Sequence, residues 1–137
     1  MKFPNWLRFY GDKEYRDRLC PSESVEQITF FAELRRNHPD IGKIALHIRN
    51  EGARSYYQAR IQKAEGMVSG AADIVIPGAP AFVCELKRRD HTLCRWQKAQ
   101  LDFLKTAHER GAFVCVALGW EAAYEAVEDW LKCTTAT

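Results

Sequence analysis

Asp73-Ile74-Val75-Ile76-Pro77-Gly78-Ala79-Pro80-Ala81-Phe82-Val83-Cys84-Glu85-Leu86-Lys87 is the segment from which the architecture is read. Asp73 opens an apolar run. Pro77-Gly78-Ala79-Pro80 interrupts it, and a second run follows from Ala81 to Lys87. Two apolar runs separated by Pro and Gly read as strand, turn, strand. Side chains alternate along a strand, so Glu85 and Lys87 share a face with Val83. Phe82, Cys84 and Leu86 take the other face. Asp73 and Glu85 then lie on neighbouring strands, with an ammonium one step along. That arrangement suits a divalent cation and metal-assisted hydrolysis, foremost of a phosphodiester. An exposed same-face salt bridge would explain Glu-x-Lys by itself. Asp73 and the glycine-bracketed loop before it, Glu65-Gly66-Met67-Val68-Ser69-Gly70, favour a site.

The flanking pattern supplies the remaining elements. Ser22 is a good N-cap with Glu26 near the capping-box position. A helix is expected from about Glu23 to Asn37, with Ile28, Phe31 and Leu34 on its apolar stripe. Ile44 to Arg49 alternates as a strand, Asn50-Glu51-Gly52 is a turn, and Arg54 to Lys63 reads as helical. After the polar Arg88-Arg89-Asp90-His91 stretch, a helix is expected over Arg95 to Glu109, ended by Gly111. Phe113 to Leu118 is continuously apolar, as in a strand buried on both faces. Glu121 to Leu131 completes the chain as an amphipathic helix. The order α-β-α-β-β-α-β-α describes an α/β sandwich around a small mixed sheet.

With 137 residues, 47% of them hydrophobic, the chain suits one globular domain with a real core. A net charge of +2 permits a nucleic-acid partner without requiring one. No stretch reaches membrane-spanning length, and the start lacks the apolar core of a signal peptide, so a cytoplasmic location is expected. The five cysteines form no CxxC pair, and reduced structural thiols are expected. His91 and Cys94 have ligand-like spacing, but no second pair accompanies them. The first twenty residues mix aromatics with bases. They read either as a nucleic-acid arm or as a segment packed on the domain, and the interleaved acidic residues favour packing.

Phosphodiester hydrolysis needs a nucleophilic water, charge neutralisation and help for the leaving oxygen. Mg²⁺ held by a few carboxylates and keeping several waters meets most of this. Asp73 and Glu85 form the core of such a site, and the Leu86 backbone carbonyl offers a further ligand. Lys87 would orient the water or stabilise the transition state. A third carboxylate is expected from the first helix. Glu23 shares a face with Gln27, Phe30 and Leu34 and is preferred over Glu26, which serves equally as a cap. Gln97 falls with Leu101, Leu104 and His108, where burial alone favours a structural role.

Together these residues resemble the PD-(D/E)xK nuclease superfamily, and within it the small stand-alone phage-type form of the VRR-Nuc (virus-type replication-repair nuclease) family. Ser22-Glu23 with Gln27 is similar to that family's opening helix. Asn50-Glu51-Gly52 with Arg54 resembles its Asn-Glu/Gly-Gly-x-Arg segment. Lys63-Ala64-Glu65-Gly66, Gly70 and Asp73 resemble Lys-x-x-Gly…Gly-x-Pro-Asp, and Glu85-Leu86-Lys87 is the (D/E)xK element. Leu93 with Gln97 resembles Leu-Ser-x-x-Gln, and Gly119-Trp120-Glu121-Ala122-Ala123 the closing segment. Ala72 replaces the family's Pro, and Cys94 its Ser; neither change removes a catalytic group.

The resemblance implies a restriction-endonuclease-like core over residues 22–137, with residues 1–21 as an N-terminal extension. It implies metal ligation by Asp73, Glu85 and a first-helix Glu, a catalytic Lys87, Gln97 as a helper, and Mg²⁺ or Mn²⁺ as cofactor. It also implies a homodimer that cuts branched DNA such as Holliday junctions or flaps, in a bacterial or phage-infected cell. Lys63, Arg88, Arg89, Arg95, Asn50 and Arg54 are the candidate DNA contacts. Arg49 and Arg60 serve the same purpose or only solubility. The rival readings are a non-catalytic module that binds branched DNA or a protein, and a sequence-specific restriction-type endonuclease.

Overall fold

Strands β4 (Phe82–Lys87) and β5 (Phe113–Leu118) form where the sequence is most continuously apolar, and both are buried on both faces. They pair in parallel, with Glu85 opposite Val116 and Lys87 opposite Leu118. Parallel pairing demands a crossover, which helix α4 (Lys98–Glu109) supplies. β3 (Ile74–Ile76) runs antiparallel to β4, with Ile74 opposite Cys84. β2 (Leu46–His47) closes that side, and β1 (Arg8–Tyr10) pairs in parallel with β5 on the other. The five-stranded mixed sheet has the order β1-β5-β4-β3-β2. This computed structural model describes residues 3–49 and 55–134. The expected turn Asn50-Glu51-Gly52 and the candidate contacts Asn50 and Arg54 lie outside the described residues.

The alternation read from β4 divides the core in two. Phe82, Cys84 and Leu86 join Phe30, Leu34 and Trp130 on one face, under α1 (Glu23–Asn37) and α5 (Trp120–Cys133). Val83 joins Leu7, Ala72, Leu104, Val114 and Val116 on the other, under α4. Helices on both faces of a mixed sheet make an α/β sandwich.

Several details depart from the expected order. Residues 1–21, set apart from the sequence, contribute β1 to the sheet and Leu7 to the core. Some of their aromatics and bases lie against one another or against the domain. Phe3 lies against Phe9 and Trp96, Lys13 covers Phe3 and Phe9, and Arg8 sits 4.0 Å from the Phe113 ring centroid. A short helix, α2 (Pro39–Gly42), follows α1. β2 is shorter than Ile44–Arg49 because the Ile44 and Ala45 N–H groups turn back to the Ile41 carbonyl. Ile28 is 67% exposed, and Phe30 takes the core position expected of it. The remaining helix, α3 (Tyr56–Ala64), buries no side chain. No helix among the described residues is long and apolar enough to cross a membrane.

Candidate active site

Three elements bring carboxylates to one point beside the end of β4. Ser22 Oγ accepts the Val25 N–H at 3.2 Å, which fixes the start of α1 and places Glu23 in its first turn. Asp73 stands just before β3. Its Oδ2 accepts the Leu86 N–H at 2.9 Å, tying it to the strand that carries Glu85. Glu85 itself is 1% exposed. One carboxylate oxygen from each of Glu23, Asp73 and Glu85 falls within 4.8 Å of the others. Glu26 goes elsewhere. It accepts from Arg89 Nε and from the Trp120 N–H, both at 3.3 Å, and so caps α5 rather than its own helix. Gly119, the N-cap of α5, has no side chain to do this, and at φ +91° a Cβ there would press on Glu26 and Arg89.

Lys87, 3% exposed, completes the group. Its Nζ lies 3.6 Å from Glu85 Oε1 and donates to the Arg95 carbonyl at 2.8 Å. It also sits 4.8 Å from the Trp96 ring centroid, where cation–π attraction adds to the restraint. The ammonium is therefore fixed in place rather than free to swing.

Gathering negative charge in a largely buried site is costly. Burial first, and then the neighbouring Asp73 charge, push the Glu85 pKa from an ordinary 4.5 up to about 9, with Lys87 opposing. Burial also raises Asp73, against the Leu86 N–H and Lys87, and raises Glu23. Glu85 Oε2 is buried and meets no donor. The carboxylates beside it are acceptors too, so only a proton or a cation can join them. An all-oxygen donor set with an orphaned buried oxygen fits a hard divalent ion such as Mg²⁺ or Mn²⁺.

Gln100, absent from the sequence reading, holds Glu85 in place. Its Oε1 accepts the Gln97 N–H at 3.0 Å, so its amide nitrogen faces Glu85 Oε1, which it meets at 3.2 Å. Gln97 is the N-cap of α4, with extended backbone, and lies on the cleft wall instead of in a helical stripe with Leu101 and Leu104. A signal was present: with Gln97 as cap, Gln100 occupies the third helical position, where a glutamine reaches back to the cap N–H.

The group opens into a cleft of about 880 Å³. Lys63 and Arg95 line it, as does Arg60. Arg88 and Arg89 do not. Arg88 donates to the Cys20 and Pro21 carbonyls and secures the approach to α1, while Arg89 bridges Glu26 and Glu121. On the far wall Gly70, at φ +77°, lies so close to α4 that a Cβ would meet the Ala99 carbonyl carbon at 2.4 Å. Only glycine lets the loop before Asp73 dock there.

A solved structure of a "VRR_NUC domain protein" matches this chain with a TM-score of 0.68 and 18% sequence identity, over 82% of this chain and 89% of the other. The chain has a VRR-Nuc-like fold. The likeness agrees with the mixed sheet and flanking helices just described, and at this identity it concerns the fold. No protein-family model matches the sequence, and no curated protein matches it.

Proposed function

We propose that this chain is a metal-dependent DNA endonuclease with its active site at Glu23, Asp73, Glu85 and Lys87. The observation that carries the reading is the meeting of three carboxylates within 4.8 Å, one of them with an orphaned buried oxygen. A lysine held at 3.6 Å from that same carboxylate supports it. The VRR-Nuc-like fold is consistent with this chemistry, by analogy of fold.

Glu23, Asp73 and Glu85 would hold one or two Mg²⁺ or Mn²⁺ ions, with the Leu86 carbonyl as a further ligand. Bound there, the metal supplies an activated water and neutralises the phosphate. The chain's own groups do the rest. Gln100 occupies Glu85 Oε1 and leaves Oε2 for ligation. Lys87, anchored by the Arg95 carbonyl, presents its ammonium to the attacking water or to charge developing on the phosphate. Gln97, Lys63, Arg60 and Arg95 line the path by which a strand would enter.

The proposed substrate is branched DNA, Holliday junctions or flaps, cut by a homodimer whose twofold axis matches a symmetric junction. The proposed setting is the cytoplasm of a bacterial or phage-infected cell. Labelled four-way junction, flap and linear duplex, each incubated with Mg²⁺, with Mn²⁺ and with EDTA, test this. Cutting of the branched substrates that requires metal and is lost in Lys87→Ala is expected. Binding without cutting would leave the non-catalytic module, and cutting at one linear sequence would leave the restriction-type enzyme.

A further inference from the structure

Helix α3 contributes no side chain to the core, so packing does not explain what its surface carries. A nine-residue helix is marginal alone, and this one is stabilised by a reciprocal cap. Ser55 Oγ accepts the Gln58 N–H, and Gln58 Oε1 accepts the Ser55 N–H, both at 3.1 Å. Tyr56, Ala59, Arg60 and Lys63 follow the spacing of one helical face, and all four line the cleft that holds Glu23, Asp73 and Glu85. Tyr56 is 80% exposed, and the Arg60 guanidinium lies 5.8 Å from its ring centroid. Neither Arg60 nor Lys63 joins an ion pair with a carboxylate among the described residues.

An exposed aromatic ring followed along the same helical face by two cations, neither paired with a carboxylate among the described residues, matches one kind of polymer. Phosphates pair with the cations, and a base stacks on the ring. Bases inside an intact duplex have both faces covered by their neighbours. Away from a duplex end, a base can stack on Tyr56 only if it is unpaired. We infer that α3 grips an unpaired DNA strand. Tyr56 stacks on a base of a single-stranded segment entering the cleft, and Arg60 and Lys63 hold the adjoining phosphates. The inference rests on the nuclease reading of the cleft and sharpens it: of the two branched substrates it favours the flap, which carries single-stranded DNA beside the bond to be cut, over the fully paired four-way junction.

Binding of full-length protein in EDTA tests this without cleavage. Two fluorescent probes serve, a single strand containing 2-aminopurine and a blunt duplex of the same sequence. Tyr56→Ala is expected to weaken single-strand binding by about 10-fold or more, a typical loss for one stacked base, and to change duplex binding by less than about 2-fold. Tyr56→Phe keeps the ring and should retain the affinity. Tyr57→Ala removes a ring that is 70% exposed but lies off the cleft lining, and should change nothing. Arg60→Ala and Lys63→Ala should each lower the salt slope for the single strand by about 0.7. Quenching of 2-aminopurine by wild type and not by Tyr56→Ala would report the stack itself. Equal losses on both probes, unchanged affinity in Tyr56→Ala, or no binding of the single strand by wild type would each overturn the grip. A protein that shows the Tyr56 dependence yet cuts no DNA would fail the nuclease reading alone. One that cuts and lacks the dependence would fail this inference alone.

Discussion

Gln100 commits its two amide atoms to different partners, and the consequence falls on Glu85. Its oxygen takes the Gln97 N–H, so the amide cannot flip without losing a bond, and its nitrogen stays on Glu85 Oε1. Outer partners of this kind tune metal ligands. Gln100→Ala is expected to raise the Mg²⁺ concentration needed for half-maximal cleavage by about 10-fold while the fold survives. Metal titrations of the cleavage rate, with melting curves alongside, check this. Glu85 gives a second handle through pH. Its folded pKa of about 9 exceeds its ordinary 4.5, so the metal-free folded state binds this proton more tightly than the unfolded chain does. That stabilisation is complete below the ordinary carboxylate range and is lost as pH rises through about 9. Melting temperature in EDTA should therefore fall as pH rises through this window, by at most about 1.4 kcal/mol of stability per pH unit. Glu85→Gln should flatten the fall. Added Mg²⁺ should oppose it, most strongly at high pH, because it favours the ionised carboxylate. A melting temperature that climbs with pH in EDTA would contradict the assignment.

At the scale of elements, α1 separates two acidic side chains that sequence spacing left as alternatives. Glu23 meets Asp73 and Glu85, whereas Glu26 holds Arg89 and the first N–H of α5. Glu26→Gln is expected to cost about 1–3 kcal/mol of stability and to leave metal affinity unchanged. Glu23→Gln should do the reverse. Denaturant unfolding and metal titration of the same two variants separate the roles. The contrast also shows what was legible beforehand. β4, β5 and α1 announce themselves by unbroken apolar runs or a strong cap, and the alternation along β4 placed Glu85, Lys87 and Val83 on one face. β1 was not legible. Its three residues are aromatic and basic, and its partner β5 lies about a hundred positions away in the chain. Local pattern carries no trace of such a parallel pairing. α4 begins at Lys98, later than Arg95, because Gln97 is extended, and that shift moved Gln97 off the helical face and hid Gln100.

For the molecule as a whole, the sheet buries a core on each side and leaves the catalytic candidates where three elements converge beside it. α1 brings Glu23, the loop before β3 brings Asp73, and α4 brings Gln100 against Glu85. The bases sort by the same geometry. Arg88 and Arg89 are adjacent to the Glu85-Leu86-Lys87 triplet in sequence but brace α1 and α5, while Arg60 and Lys63 approach the cleft from α3. Proximity along the chain does not by itself bring a side chain to the cleft, because β4 ends there and both arginines bond to other elements. The central claim is that three carboxylates from separate elements form one metal centre. Calorimetric titration of Mn²⁺ into the full chain without DNA, for wild type and Asp73→Asn, tests it most directly. Saturable binding by wild type, weakened more than about 100-fold in Asp73→Asn, is the expected result. Equal binding by the two proteins, or none by wild type, would contradict it.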